Sequence, residues 1–264
     1  MIRVAINGAA GRMGRRVVDL VSHEQGVKLV AAFEQPGHPG LGRDVGELCG
    51  CGKLSVLLAS DWTVPADVLI DFSLPAAAAA RAAEAAGKGA ALVIGTTGMT
   101  AAQKAAIAAA AKKVPVLHSP NMSVGVNLLF RLAAEVAAAL REEYDVEIIE
   151  VHHRFKKDAP SGTALRIAEE IAAATGRSLA KDAVYGRHGA SAERKKGEIG
   201  IHAVRAGEIV GDHTVIFSGL GERVELVHRA ESRDTFARGA IRAAKFLVGK
   251  KPGMYAMTDV LHSE

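Results

Sequence analysis

The sequence predicts an α/β fold: a Rossmann-like, doubly wound parallel sheet plus a smaller α+β substrate domain with an open mixed sheet. Three observations predict it. The chain opens with a strand, a glycine-rich turn and a helix, at Arg3-Val-Ala-Ile6, Asn7-Gly8-Ala-Ala-Gly11-Arg-Met-Gly14 and Arg15 to Val21. Strand and helix patterns then alternate as far as His118, the rhythm of parallel βαβ units. Further on, Ile199 to Val204, Asp212 to Phe217 and Glu222 to His228 read as successive strands joined by short turns, which implies antiparallel or mixed pairing.

The chain has 264 residues, of which 49% are hydrophobic and 23% charged. That size suits one large domain or two modest ones, with ample core. The organisation expected is a dinucleotide-binding domain over 1–123, a substrate-binding and oligomerisation domain over 124–232, and a segment over 233–264 that returns to the first. The net charge of +4 fits anionic small molecules and is too weak to argue for nucleic acid. No apolar run reaches the length of a membrane span, and Met1-Ile-Arg-Val-Ala-Ile reads as a strand, so a cytoplasmic protein is expected. Cys49 and Cys51 are the only cysteines; the pair reads as reduced thiols in a loop, and no metal site is expected.

The elements follow in order. In the first turn the spacing is G-x-x-G-x-x-G rather than G-x-G-x-x-G. Its place between strand and helix still suits a dinucleotide pyrophosphate seated on the helix N-terminus, the glycines letting the backbone approach it; a plain tight turn is the alternative. Val27 to Phe33 reads as the second strand and ends in Glu34. An acid there is placed to hold a ribose diol, though it could also be an ordinary surface glutamate. Glu34 would repel a 2′-phosphate, and the neighbouring Gln35 brings no cation, so NADH is expected over NADPH. Gln35 to Lys53 reads as a long loop with little regular structure. Ala66 to Asp71, Ala90 to Ile94 and Val114 to His118 are strands, and alanine-rich helices follow the first two. The loops at Gly8, Glu34, Phe72, Gly95 and Ser119 fall at strand C-termini, where such sheets bind ligands. Thr96, Thr97 and Asn121 suit turn-capping as well as ligand contact. Asn127 to Arg141 is an amphipathic helix, taken as the crossing between domains.

The densest chemistry lies at Glu150-Val-His-His-Arg-Phe-Lys-Lys-Asp-Ala-Pro-Ser-Gly-Thr163. A strand over Val146 to Val151 precedes it and a helix from Ala164 to Ala174 follows. Ser161, Gly162 and Thr163 would begin that helix, and its free N–H groups suit a carboxylate or phosphate. Lys156 adds a mobile cation, and His152 and His153 can exchange a proton near neutral pH. A basic solvated loop before an ordinary capped helix is the plain alternative.

These residues resemble the 4-hydroxy-tetrahydrodipicolinate reductase family of the diaminopimelate route to lysine. The resemblance rests on Gly8 to Gly14, Ile94-Gly-Thr-Thr-Gly98, Asn121-Met-Ser-Val-Gly-Val-Asn127, the Glu150 to Thr163 stretch, Arg205-Ala-Gly-Glu-Ile-Val-Gly-Asp-His213 and Ser232-Arg-Asp-Thr-Phe236. It implies an oxidoreductase with NADH or NADPH held at Gly8 to Met13, Glu34, Gly95, Thr96, Thr97, Ser119, Pro120, Asn121 and Met122. It implies a cyclic imine dicarboxylate substrate held by His153, Lys156, Gly162 and Thr163, with Ser161 at the same helix start. His152 is then the proton donor and Lys156 also serves catalysis. The family's second sheet builds a homotetramer. The departure from many bacterial members is Gln35, where they carry arginine.

Overall fold

The computed structural model describes residues 1–190 and 192–262. The chain divides into two compact units, Met1–Val124 with Arg233–Glu264, and Gly125–Ser232.

The first unit is a seven-stranded sheet with strand order β12-β6-β5-β4-β1-β2-β3. In chain order its elements are β1 (Ile2–Asn7), α1 (Arg12–His23), β2 (Val27–Phe33), α2 (Val45–Cys49), β3 (Leu58–Ala59), β4 (Val68–Asp71), α3 (Pro75–Lys88), β5 (Ala91–Ile94), α4 (Ala101–Ala111) and β6 (Pro115–His118). Helix α5 (Val124–Leu140) leads into the second unit. All the strand pairs in this sheet are parallel. Parallel strands need crossovers, so helices cover both faces, and the strands are apolar through their middles, with polar residues such as Arg3, Asn7, Lys28 and Asp71 toward their ends or at exposed positions. In β1, Val4 and Ile6 face one core with α1, and Ala5 faces the other with α3 and α4.

The stretch from Gln35 to Lys53 is not wholly irregular. It contains the short helix α2, because Asp44 caps it. Asp44 Oδ1 accepts from the N–H groups of Gly46 at 2.9 Å, Glu47 at 3.2 Å and Leu54 at 3.1 Å. Gly50, left-handed at φ 81°, ends the helix. Cys49 therefore lies on a helix rather than in a loop. Both cysteines are free and half-buried, and burial pushes the Cys49 thiol up to about 11.

The second unit is a five-stranded mixed sheet, order β11-β10-β7-β9-β8. Its elements are β7 (Asp145–His152), α6 (Gly162–Thr175), α7 (Leu179–Asp182), β8 (Ala183–Val184), β9 (Ile199–Arg205), β10 (Gly211–Ser218) and β11 (Arg223–Ala230). Strand β10 pairs antiparallel with β11 and β7, while β7 and β8 pair parallel with β9. Helix α6 buries Ala164, Ile167, Ala168, Ile171 and Ala172, one stripe of a 3.6-residue repeat, in a core with Val146, Ile148, Val215 and Phe217. At about 25 cal/mol per Å², each fully buried Ile or Phe there contributes roughly 1.5–3 kcal/mol.

Helix α8 (Asp234–Leu247) returns to the first unit, followed by β12 (Gly253–Tyr255) and α9 (Met257–Leu261). Ala237, Ala240, Ala244 and Leu247 join the core of Val4, Ile6 and Val17. Arg16 Nε meets Asp234 Oδ1 at 2.7 Å, and Lys245 pairs with Glu24, so α8 is tied to α1 at two points. Among the described residues no helix is long and apolar enough to cross a membrane.

Candidate active site

In the first unit the glycine turn forms a cradle. Gly8 has φ 76°, and a Cβ there would lie 2.5 Å from the Phe72 carbonyl oxygen. A Cβ at Gly14 would lie 2.0 Å from the Gly8 oxygen. Neither position admits a side chain. The amides of Gly8 and Ala9 are taken by the Phe33 carbonyl, and that of Gly11 by Gly8. Ala10 donates to Glu34 Oε1 at 3.1 Å. The amides left for an anion are those opening α1, at Arg12, Met13 and Gly14, ahead of the first helical bond from Arg15 to Gly11. No side chain caps this helix and its first turn holds no acid, so its positive end is uncompensated. Beside it lies a cleft of about 240 Å³ lined by Gly8, Gly11, Glu34, Gln35, Phe72, Ser73 and Leu74, among others. This cradle fits a diphosphate with a diol against Glu34.

The other residues expected around a dinucleotide divide. Thr96 is buried and its hydroxyl donates to Asp71 Oδ1 at 2.5 Å, while Ser73 N donates to Thr96 Oγ1 at 2.9 Å. Its side chain is thus committed to the loop framework, and Thr97 and Gly98 are the exposed part of that turn. Ser119, Pro120, Asn121 and Met122 do not line the cleft. Ser119 Oγ donates to Asn121 O at 2.8 Å, Asn121 Oδ1 accepts from Ser123 N at 2.9 Å, and Met122 is core. Sequence reasoning missed Asp71. It is 1% exposed, and it accepts from Asn7 Nδ2 at 2.6 Å and Ser73 Oγ at 3.0 Å as well as from Thr96. Burial raises its proton affinity beyond what the hydrogen bonds from Thr96, Asn7 and Ser73 offset.

In the second unit, alternation along β7 turns Val146, Ile148, Glu150 and His152 to the buried face. The face is apolar at its start and ionisable at its end. Cross-strand register then supplies partners: His213 lies opposite Glu150, and Arg205 lies opposite His152. Glu150 is fully buried. It accepts from His152 Nδ1, from Ser161 N at 3.0 Å, and from both Arg205 Nη atoms at 2.9 and 2.8 Å. Burial would push the Glu150 carboxyl up, but the hydrogen bonds from Arg205 and His152 hold it below the usual range. The His152 ring is pushed down by burial, against the pull of Glu150. Burial and the neighbouring His152 and His228 take His213 down to about 3.

The helix start behaves as a cap. Ser161 Oγ accepts from Ala164 N at 3.1 Å and lies 3.3 Å from His213 Nε2. Nothing stands within 4 Å of where a Gly162 Cβ would be, which leaves room there, and α6 has no acid in its first turn. His153 Nδ1 is buried without a hydrogen-bond partner. Lys156 Nζ pairs with the exposed Asp158 at 2.9 Å, a contact worth about 0.2–1 kcal/mol and readily exchanged for another anion. His152, His153, Lys156 and Ser161 to Thr163 thus lie on one strand end, its loop and the helix that follows. Glu150, Arg205 and His213 complete the polar cluster. Their signal was the period-two spacing of Glu150 and His152, and the register that sets β9 and β10 beside β7.

Comparison with known proteins bears on both units. Residues 2–122 match the family model described as dihydrodipicolinate reductase, N-terminus, and residues 125–261 match its C-terminus. The 4-hydroxy-tetrahydrodipicolinate reductase of Magnetococcus marinus is 52% identical over 263 residues, 98% of each chain. That of Geotalea daltonii is 49% identical over 264 residues, 99% of each. A dipicolinate-bound dihydrodipicolinate reductase from Paenisporosarcina sp. TG-14 superposes with TM-score 0.77 at 26% identity, covering 97% of both chains. An amine dehydrogenase from Mycobacterium smegmatis, at TM-score 0.61 and 14% identity, shares the fold. Because both halves are matched in order and half the residues are shared along the whole length, the chain belongs to the dihydrodipicolinate reductase family.

Proposed function

We propose that the protein reduces 4-hydroxy-tetrahydrodipicolinate to tetrahydrodipicolinate, with loss of water, using NADH in preference to NADPH. The observation that carries this reading is His152, buried and held by Glu150 at the end of β7, where the loop that runs through Lys156 to the open helix start at Gly162 begins. The family's near-identical length and the dipicolinate-bound relative support the substrate class.

Loss of the 4-hydroxyl as water leaves a conjugated, unsaturated imine. When bound, the reduced nicotinamide supplies a hydride to it. The helix start at Ser161 to Thr163, with His153, holds a substrate carboxylate. Lys156 leaves Asp158 for the substrate and stabilises the negative charge that develops toward the imine nitrogen. His152 supplies the proton. Hydride and proton together account for the two hydrogens gained. Gly8 to Met13 bind the dinucleotide, Gly95 to Thr97 and Ser119 to Met122 contact it through the backbone they present, and Glu34 binds its ribose diol. Gln35 adds no charge for a 2′-phosphate, which favours NADH. The protein assembles as a homotetramer through the second sheet, whose edge strand β11 exposes Val224 and Val227.

The test couples the enzyme to the synthase that makes the substrate and follows absorbance with each cofactor. The expected result is reduction with both, faster with NADH, and a loss on the order of 10²-fold or more in kcat for His152→Gln with cofactor binding retained. Absence of reduction with either cofactor rules out the activity, and unchanged turnover in the variant removes His152 from it.

A further inference from the structure

The two ring nitrogens of His152 have unlike surroundings. Nδ1 faces Glu150 Oε2. A carboxylate held ionised has no proton to give, so Nδ1 must carry one. Nε2 faces Gly211, where an added Cβ would lie 2.9 Å from it. The backbone of Gly211 is not left-handed, so what glycine supplies here is space: a side chain would crowd Nε2.

Glu150 is itself tied from three sides. Arg205 grips both its oxygens, at 2.9 and 2.8 Å, from the end of β9. Arg205 Nη2 also donates to the Asp158 carbonyl at 2.6 Å, on the loop that carries Lys156. Ser161 N, at the start of α6, donates to Oε1 at 3.0 Å. A fork of this kind fixes direction as well as charge.

We propose that Glu150 and Arg205 form a positioning pair for His152, in which Glu150 fixes the ring with Nε2 toward the substrate and Arg205 cancels the charge of Glu150, so that the imidazolium gives up its Nε2 proton and returns to the neutral ring protonated on Nδ1. This deepens the reading of His152 as proton donor and rests on it. A lone buried carboxylate beside an imidazole would hold the imidazolium tightly and make a poor acid. A carboxylate already bound to a guanidinium keeps the orientation without that grip. The other charged groups facing the ring act in the same direction as Arg205 or remain neutral. Lys156 on the loop disfavours a second positive charge, and its own partner Asp158 is exposed. His213 on β10 meets the ring edge-on at 5.2 Å between centroids, and it is uncharged near neutral pH. His228, opposite His213 on β11, is likewise pushed down by burial.

The two partners should therefore shift His152 in opposite directions. The experiment is 15N NMR of histidine-labelled full-length enzyme with a pH profile of kcat for each variant. In the unmodified enzyme the neutral His152 ring should show its proton on Nδ1, a reading that needs no variant. Glu150→Gln should lower the His152 titration midpoint, release the tautomer, and cut kcat on the order of 10²-fold with a smaller change in KM. Arg205→Met should raise the midpoint and move the kcat profile to higher pH. Arg205→Lys, which keeps the charge, should return the midpoint toward that of the parent. A proton on Nε2 in the neutral parent ring, or midpoints that move together in the two variants, overturns the proposal. Opposite shifts of the His152 resonance without any change in the kcat profile would leave the pair intact and reject His152 as the donor.

Discussion

Two helical glycines should respond to alanine with opposite signs. Gly239 lies in the buried face of α8, and a Cβ there would stand 1.8 Å from the Met122 carbonyl oxygen and 2.8 Å from its carbon. Ordinary contact is about 3.4 Å or more, so helix and loop must part by roughly 1.5 Å, and the obstacle is backbone rather than a flexible side chain. Alanine's better helix propensity returns up to about 1 kcal/mol. Overpacking a tight site costs about 1–3 kcal/mol, and a clash with backbone this close belongs at the upper end, so after that return Gly239→Ala should lose about 2 kcal/mol net. Gly87, near the end of α3, is exposed and has nothing within 4 Å of its missing Cβ. Gly87→Ala should gain about 0.5–1 kcal/mol. Urea unfolding of both variants beside the parent measures the difference, and in a chain of this size each kcal/mol moves Tm by about 2–4 °C. A Gly239→Ala protein as stable as the parent would show that α8 does not approach Met122 this closely.

Two other outcomes follow from charge. His213 has a folded value of about 3 against 6.5 unfolded, so the unfolded chain binds more protons between those values and stability falls as pH drops through that window, by up to about 1.4 kcal/mol per pH unit from this ring. Urea midpoints at pH 7, 6 and 5 should show a flatter slope in His213→Gln, and an equal slope would refute the assignment. Gln35→Arg places a cation beside Glu34 and should raise kcat/KM for NADPH about tenfold or more relative to NADH, measured as the ratio of the two; an unmoved ratio would separate Gln35 from cofactor choice.

Much of the fold was legible because its signals are local. The alternation of Val146 to Val151, the glycines after β1 and the 3.6-residue stripe from Ala164 each reflect one element's own burial. The Gln35 to Lys53 region was misread because α2 is too short for a periodic stripe and depends on one side chain, Asp44, reaching three amides. The helix start at Ser161 was visible from its cap. The contributions of Glu150, Arg205 and Asp71 were not, since each acts through strand register. Arg205 comes 53 residues after His152 in the chain, and only the β7–β9 pairing sets them side by side. The close approach at Gly239 leaves no trace in sequence either, because an interior glycine looks like a weak helix position until its neighbour is known.

Asp71 carries one consequence for how the cofactor half meets its ligand. Its two oxygens are shared among the end of β1 through Asn7, the turn after β4 through Ser73, and the turn after β5 through Thr96. Three segments that could otherwise wander separately are thereby strapped to a single anchor before anything arrives. Their freedom was surrendered when the chain folded, so a ligand that settles there need not freeze them one by one, and more of its contact energy survives as grip.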